Sequence, residues 1–200
     1  MAAGKTTLAT YLSRKYDYKI LPLAQPIKDM EQALASGESP LSVANRFMSD
    51  TLDPMQLAMM VKILEEALLI PRESPKPRKR LQFIGTEGGR KRISSSIWID
   101  YTAKLAEKYD RVAIDDVRFT NEYGRFYSAD WRTIFLKITP NDQLERLHSL
   151  YPDFDEQSLT HDSEVELENL EHFPHDLIID VTSNNILAMY KIMDEWICRL

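Results

Sequence analysis

Four residues near the start of the chain, Gly4-Lys5-Thr6-Thr7, have the types and order that bind phosphate. In the pattern G-x-x-x-x-G-K-[ST], backbone amides at a helix N-terminus cradle the phosphates. The lysine reaches the outer phosphates and the hydroxyl serves Mg²⁺. Gly4, Lys5 and Thr6 fill its last three positions, and the place of the first glycine falls ahead of Met1. Three readings stand open at this point: an amphipathic helix that begins G-K-T by coincidence, a phosphate-loop protein whose start was assigned to an internal methionine, and a degenerate domain that no longer binds nucleotide.

Other residues further along could act with these. Asp115 and Asp116 end the β-branched run Val112-Ala113-Ile114, where a carboxylate either caps a strand or holds a cation. Arg118 follows, then Asn121 and Glu122. Arg90 closes the stretch Gly85-Thr86-Glu87-Gly88-Gly89-Arg90, and an arginine fork suits paired hydrogen bonds to phosphate oxygens. Gly88 and Gly89 either let the backbone approach a ligand or make a plain turn. His161, His172 and His175 sit among acids, but Pro174 breaks a helical ligand pair, so a transition-metal site is not expected.

These groups need elements to carry them. Residues 5–16 read as a helix and 18–23 as a short strand. Asp53 as N-cap and Pro54 at N1 start a helix over 54–70, with Leu57, Val61, Leu64 and Leu68 as its stripe. Residues 97–109 and 140–150 are helical by pattern; 111–116, 131–138 and 176–181 read as strands. A closing helix places Ile186, Tyr190, Met193 and Ile197 on one face, which serves a core or a homodimer equally well. Alternating βα units predict an α/β fold with a parallel sheet flanked by helices.

With 200 residues, 44% hydrophobic and 28% charged, the chain has the composition of a folded domain. Its single cysteine, Cys198, excludes an intramolecular disulfide and a multi-cysteine zinc site. No apolar run is long enough to span a bilayer and no secretory signal is evident, so a cytoplasmic protein without membrane partner is expected. The net charge of −6 argues against binding nucleic-acid polymers. Yet residues 72–92 carry Arg72, Lys76, Arg78, Lys79, Arg80, Arg90, Lys91 and Arg92 against Glu73 and Glu87. The proline-rich part, 72–79, reads as a solvated loop, and 80–92 as a polyanion site.

Three segments resemble one family in order and spacing: Arg80-Leu81-Gln82-Phe83-Ile84-Gly85-Thr86-Glu87 with Arg90 and Ile97-Trp98-Ile99; Val112-Ala113-Ile114-Asp115-Asp116-Val117-Arg118-Phe119 with Asn121-Glu122; and His161-Asp162-Ser163-Glu164 ahead of a strand and Asn184 or Asn185. Together with the phosphate-loop remnant they are similar to the phage-type deoxynucleoside monophosphate kinases. That resemblance implies one P-loop kinase domain over 1–200, with its first strand missing from this chain. It also implies a helical acceptor-binding insertion near 26–80 and a lid-like region near 139–165. A central strand lost from the sheet predicts low stability for the chain as given.

The same resemblance implies the roles. Gly4, Lys5, Thr6, Thr7 and a lid arginine, Arg146, would bind ATP; Thr6 and Asp116 would hold Mg²⁺, with Asp115 its close competitor. Lys5, Arg90, Asp116 and Arg118 would be catalytic. Lys28, Gln82, Arg90, Trp98, Arg118, Asn121 and Glu122 would shape the site of the small-molecule acceptor, in the host cytoplasm if the protein is phage-encoded. Plain structural roles stand beside these: a salt bridge for Arg118, a core position for Trp98, a solvated helix for Lys28. The reaction implied is transfer of the γ-phosphoryl group of ATP to a deoxynucleoside 5′-monophosphate. Other small-molecule P-loop kinases, of the dephospho-coenzyme-A kinase or gluconate kinase type, and a non-catalytic nucleotide-binding domain are the alternatives.

Overall fold

Helix starts in the computed structural model follow local chemistry. Asp53 Oδ1 accepts from Met55 N (2.9 Å) and Gln56 N (2.8 Å), Gln56 Oε1 accepts from Asp53 N, and Pro54 occupies the first turn of α4 (Pro54–Leu68). Ser39 and Pro40 start α3 (Pro40–Met48), and Thr139 and Pro140 start α8 (Pro140–Leu150), in the same way. The structure describes residues 2–73, 77–151, 170–182 and 185–200.

In chain order the remaining described elements are α1 (Lys5–Tyr16), β1 (Lys19–Ile20), α2 (Gln25–Ala35), α5 (Arg78–Gln82), a π-helix (Phe83–Ile93), α6 (Ile97–Ala106), β2 (Val112–Ala113), α7 (Thr120–Tyr127), β3 (Ile134–Lys137), β4 (Leu177–Asp180) and α9 (Ile186–Ile197). The fold is mixed α/β and mostly helical. β1 pairs with β2, and β3 pairs in parallel with β4, Ile134 opposite Leu177 and Lys137 opposite Asp180. The predicted strands are therefore present but shorter than the sequence pattern suggested. No helix among the described residues is long and apolar enough to cross a membrane.

The chain divides into two compact units, one made of residues 21–112 and the other of 1–20 with 113–200. The first contains the stretch near 26–80 expected as a helical insertion. Its core joins Met30, Leu34, Val43, Met48, Met60, Leu64, Ile84 and Trp98, all at most 4% exposed. On α4 the buried face is Met60, Ile63, Leu64 and Ala67, while Leu68 of the expected stripe is 40% exposed. The face is turned because Ile63 packs on Gly88 of the π-helix. Gly85, Gly88 and Gly89 lie at i, i+3 and i+4 of that helix. An added Cβ at Gly88 would meet Ile63 at 2.3 Å, and at Gly89 it would meet Trp98 at 2.6 Å and the Ile84 carbonyl at 2.9 Å.

In the second unit, Ala3, Leu8 and Leu12 pack with Ile179, Val181, Met189 and Met193. Ala113 of β2 and Ile134 and Leu136 of β3 border the same cluster. Polar ties supplement this core. Asp194 on α9 accepts from Tyr11 (2.6 Å), Lys15 (2.6 Å) and Tyr16 (2.7 Å) of α1, and the Tyr11 and Tyr190 rings stack with centroids 3.8 Å apart. On the closing helix it is Met189 and Met193 that are buried, whereas Ile186 of the expected face is 46% exposed.

Candidate functional site

α1 begins differently from the side-chain-capped helices α3, α4, α8 and α9. Its N-cap is Gly4 in the left-handed region (φ 87°, ψ 16°), with no side-chain cap and no acid in the first turn. A Cβ at Gly4 would meet nothing closer than the Met189 sulfur at 4.0 Å, so glycine is favoured there by backbone conformation and not by space. Ala2 also has a positive φ, 54°. No acid of the helix's own first turn faces the positive end of the α1 dipole.

Lys5 is half-buried in the first turn of this helix, and Thr6 and Thr7 are exposed beside it. Thr6 Oγ1 donates to Asp115 Oδ2 at 2.7 Å across 109 residues of sequence. The contact joins the start of α1 to the segment leaving β2, and it falls on Asp115 rather than Asp116. A hydroxyl and a carboxylate are both hard oxygen donors. Mg²⁺ takes one or two carboxylates, completes its shell with water and phosphate oxygens, and needs no dedicated cage of acids. The donor set of Thr6 and Asp115, with Asp116 next in sequence, therefore fits Mg²⁺.

Glu122 is 2% exposed at the third position of α7. Its Oε2 accepts from Arg118 N at 2.7 Å and Phe119 N at 3.1 Å, so the acid caps the helix and fixes the backbone behind Arg118. Arg118 is half-buried and Asn121 is exposed on the first turn of α7. Arg146 on α8 turns to the main chain. Its guanidinium donates to the carbonyls of Ala2 (3.4 Å), Val181 and Thr182 (3.4 Å), tying the residues before Gly4 to the end of β4.

In the unit of residues 21–112, Arg90 is half-buried on the π-helix, while Gln82 and Lys28 are exposed on α5 and α2. Trp98 is 1% exposed and donates its indole N–H to the Gly85 carbonyl at 2.8 Å, so it supports the π-helix from within the core. The basic window is largely neutralised by ion pairs. Arg72 and Arg80 converge on Glu31, which is 3% exposed, and Lys79 meets Glu73. Lys91 meets Glu87, and Arg92 meets Glu66 at 2.6 and 3.0 Å. Of the stretch 80–92 expected as a polyanion site, Arg80, Lys91 and Arg92 thus each meet an acid.

Two features escaped the sequence. The π-helix was hidden because Gly88 and Gly89 suggested a turn or a close approach to a ligand, although with Gly85 they have the i, i+3, i+4 spacing of a packed helical face. Glu122 as a cap was signalled by an acid three residues after the N-cap, the second half of a capping box. The segment His161-Asp162-Ser163-Glu164, most of the expected lid and Asn184 lie outside the described residues. His172 is exposed, and His175 stacks on Phe135 with its Nε2 paired to the Leu170 carbonyl at 2.8 Å. Compared with known proteins, the chain matches no protein-family model and no curated protein sequence.

Proposed function

We propose that this chain transfers the γ-phosphoryl group of ATP to a deoxynucleoside 5′-monophosphate. The observation that carries the reading is the 2.7 Å contact between Thr6 and Asp115 at the foot of a helix that starts on left-handed Gly4. A helix that begins G-K-T by coincidence has no reason to place its hydroxyl on a distant strand-end acid. In this reading the fold is the P-loop kinase fold. β1–β2 and β3–β4 would then belong to one parallel sheet.

The chemistry needs positioning and charge neutralisation. The amides of α1 and the Lys5 ammonium bind the β- and γ-phosphates of ATP. Thr6 and Asp115, with Asp116 beside it, hold Mg²⁺. Bound there, the ion would draw charge from the phosphate oxygens. Arg118 would serve the phosphoryl group in flight, and the resemblance assigns Arg90, Gln82 and Lys28 to the acceptor. The acceptor oxygen is already anionic near neutral pH, so no side chain has to remove a proton from it.

The test is a phosphoryl-transfer assay with ATP, Mg²⁺ and a panel of deoxynucleoside monophosphates. Diphosphate formed from at least one of them supports the reading and names the base. Folded protein that binds ATP and transfers to none overturns it. Transfer to a sugar or to dephospho-coenzyme A in place of the nucleotides would identify a different small-molecule kinase.

A further inference from the structure

We infer that Glu122 is a positioning residue for Arg118, acting on the reaction through the main chain and not by contact with substrate or metal. This rests on the phosphotransferase reading above. The carboxylate is 2% exposed and accepts from two consecutive amides, Arg118 N at 2.7 Å and Phe119 N at 3.1 Å. Two charge-assisted bonds to adjacent peptide groups fix both planes. They fix them three residues after Asp115, the acid that receives Thr6. An arginine reaches its target through a long, rotatable stem, so the useful placement of its fork depends on where its Cα is held. Glu122 also sits at the positive end of α7, where a negative charge is stabilised. Removing it would take from the two amides an acceptor that helps to hold the Arg118 backbone in place.

A positioning acid and a directly acting acid respond oppositely to substitution. Glu122→Gln keeps an oxygen of the same reach but no charge; Glu122→Asp keeps the charge but shortens the reach. Positioning predicts that Glu122→Gln retains kcat within about threefold of wild type, since a neutral acceptor makes roughly half as strong a bond. Glu122→Ala should lose about a hundredfold in kcat, the scale of a small misplacement of a catalytic group. KM for ATP should stay near its wild-type value in both, because the nucleotide is bound from α1. In the Arg118→Ala background, Glu122→Ala should add almost nothing, as expected of two residues acting through one fork.

The measurement is steady-state kinetics on the full chain for wild type, these variants and the Arg118→Ala/Glu122→Ala pair, with the folded fraction taken from circular dichroism. Should Glu122→Ala not fold, Gln against Asp decides: an active Gln with an impaired Asp supports the inference, and the reverse order overturns it. Losses that multiply in the double variant, or kcat per folded molecule unchanged in Glu122→Ala, overturn it as well. Wild-type protein that transfers to no acceptor overturns the phosphotransferase reading itself and this inference with it. An active wild type with a dead Glu122→Gln overturns only the positioning role.

Discussion

Residues 21–112 keep Met30, Val43, Met48, Met60, Ile63, Leu64 and Ile84 wholly out of water, whereas the core around α1 and α9 leaves Leu8, Leu12, Val181 and Met189 at 5–6% exposure. The helical unit is fitted by shape: its π-helix has no room for a methyl group at Gly88 or Gly89. The other unit places directed polar contacts around its candidate site, from Thr6 to Asp115, from Arg146 to three carbonyls and from Glu122 to two amides, with a further set from α1 to Asp194. Shape packing gives stability without caring where one atom points. Directed hydrogen bonds give less stability and specify direction, which is what groups that handle phosphate require. Substitutions should therefore register mainly as lost stability in the first unit and as lost activity in the second.

The largest effects should come from the start of α1 and from the arginines. Lys5→Ala, Thr6→Ala and Arg118→Ala should each reduce phosphoryl transfer by about a hundredfold or more, equivalent to about 2.7–4 kcal/mol of lost electrostatic stabilisation. Their melting temperatures should stay close to wild type, because Thr6 is exposed and neither Lys5 nor Arg118 belongs to the buried core. Arg90→Ala should cost as much activity although it sits on the packed unit. Near-normal turnover in Arg90→Ala would remove it from the mechanism. Kinetics alongside thermal melts separate these outcomes.

Next in size are the glycines of the π-helix. Gly89→Ala pushes a methyl group against a fully buried indole and a backbone carbonyl, and Gly88→Ala drives one into Ile63. Overpacking of this kind costs about 1–3 kcal/mol, or several degrees in melting temperature. Gly85→Ala meets only the end of the Ile27 side chain, at 2.9 Å, and should be milder. A melting series ordered Gly89, Gly88, then Gly85 would support shape packing. Equal and small effects would mean that the π-helix gives way easily, and the contrast between the units would weaken.

The sequence made the ends of α1, α4 and α8 legible because Gly4, Asp53-Pro54 and Thr139-Pro140 act locally, through backbone conformation and capping. What depends on partners distant in sequence was not legible. Strand length is one case: β1 and β2 each stop after two residues, because a strand lasts only as long as its neighbour. That brevity also explains why alternation could not choose between Asp115 and Asp116, which both lie past the last paired residue of β2. The ion pairing of 72–92 was not legible for a similar reason. Glu31 and Glu66, which neutralise three of its arginines, come from α2 and α4 and do not enter a local count.

A smaller effect tests the cap of α4 in the packed unit. Asp53→Ala should lower stability by about 1 kcal/mol, and Asp53→Asn should restore most of it, since an amide oxygen still accepts from Met55 and Gln56. Chemical denaturation measures both. A loss several times larger would mean that α4 depends on its cap more than on its buried face, against the view that packing dominates there.

The smallest effect is expected at Asp194, and pH gives its sign. Hydrogen bonds from Lys15, Tyr11 and Tyr16 hold this carboxyl well below its ordinary value, at about 2. A carboxyl whose pKa is lower folded than unfolded adds stability above its unfolded value, and that stability disappears as pH falls toward the folded one. The advantage of wild type over Asp194→Asn should therefore be full at pH 7, begin to shrink below the ordinary carboxylate range near pH 4, and vanish by about pH 2. Lys15 is shifted upward by the same partner, so its charge persists throughout this window and does not confuse the reading. Because Lys15 is 46% and Asp194 30% exposed, added salt should reduce the advantage at neutral pH as well. An advantage that is independent of both pH and salt would assign the α1–α9 junction to the Tyr11–Tyr190 stack and the buried methionines. The second unit would then owe its cohesion to packing after all, as the first one does.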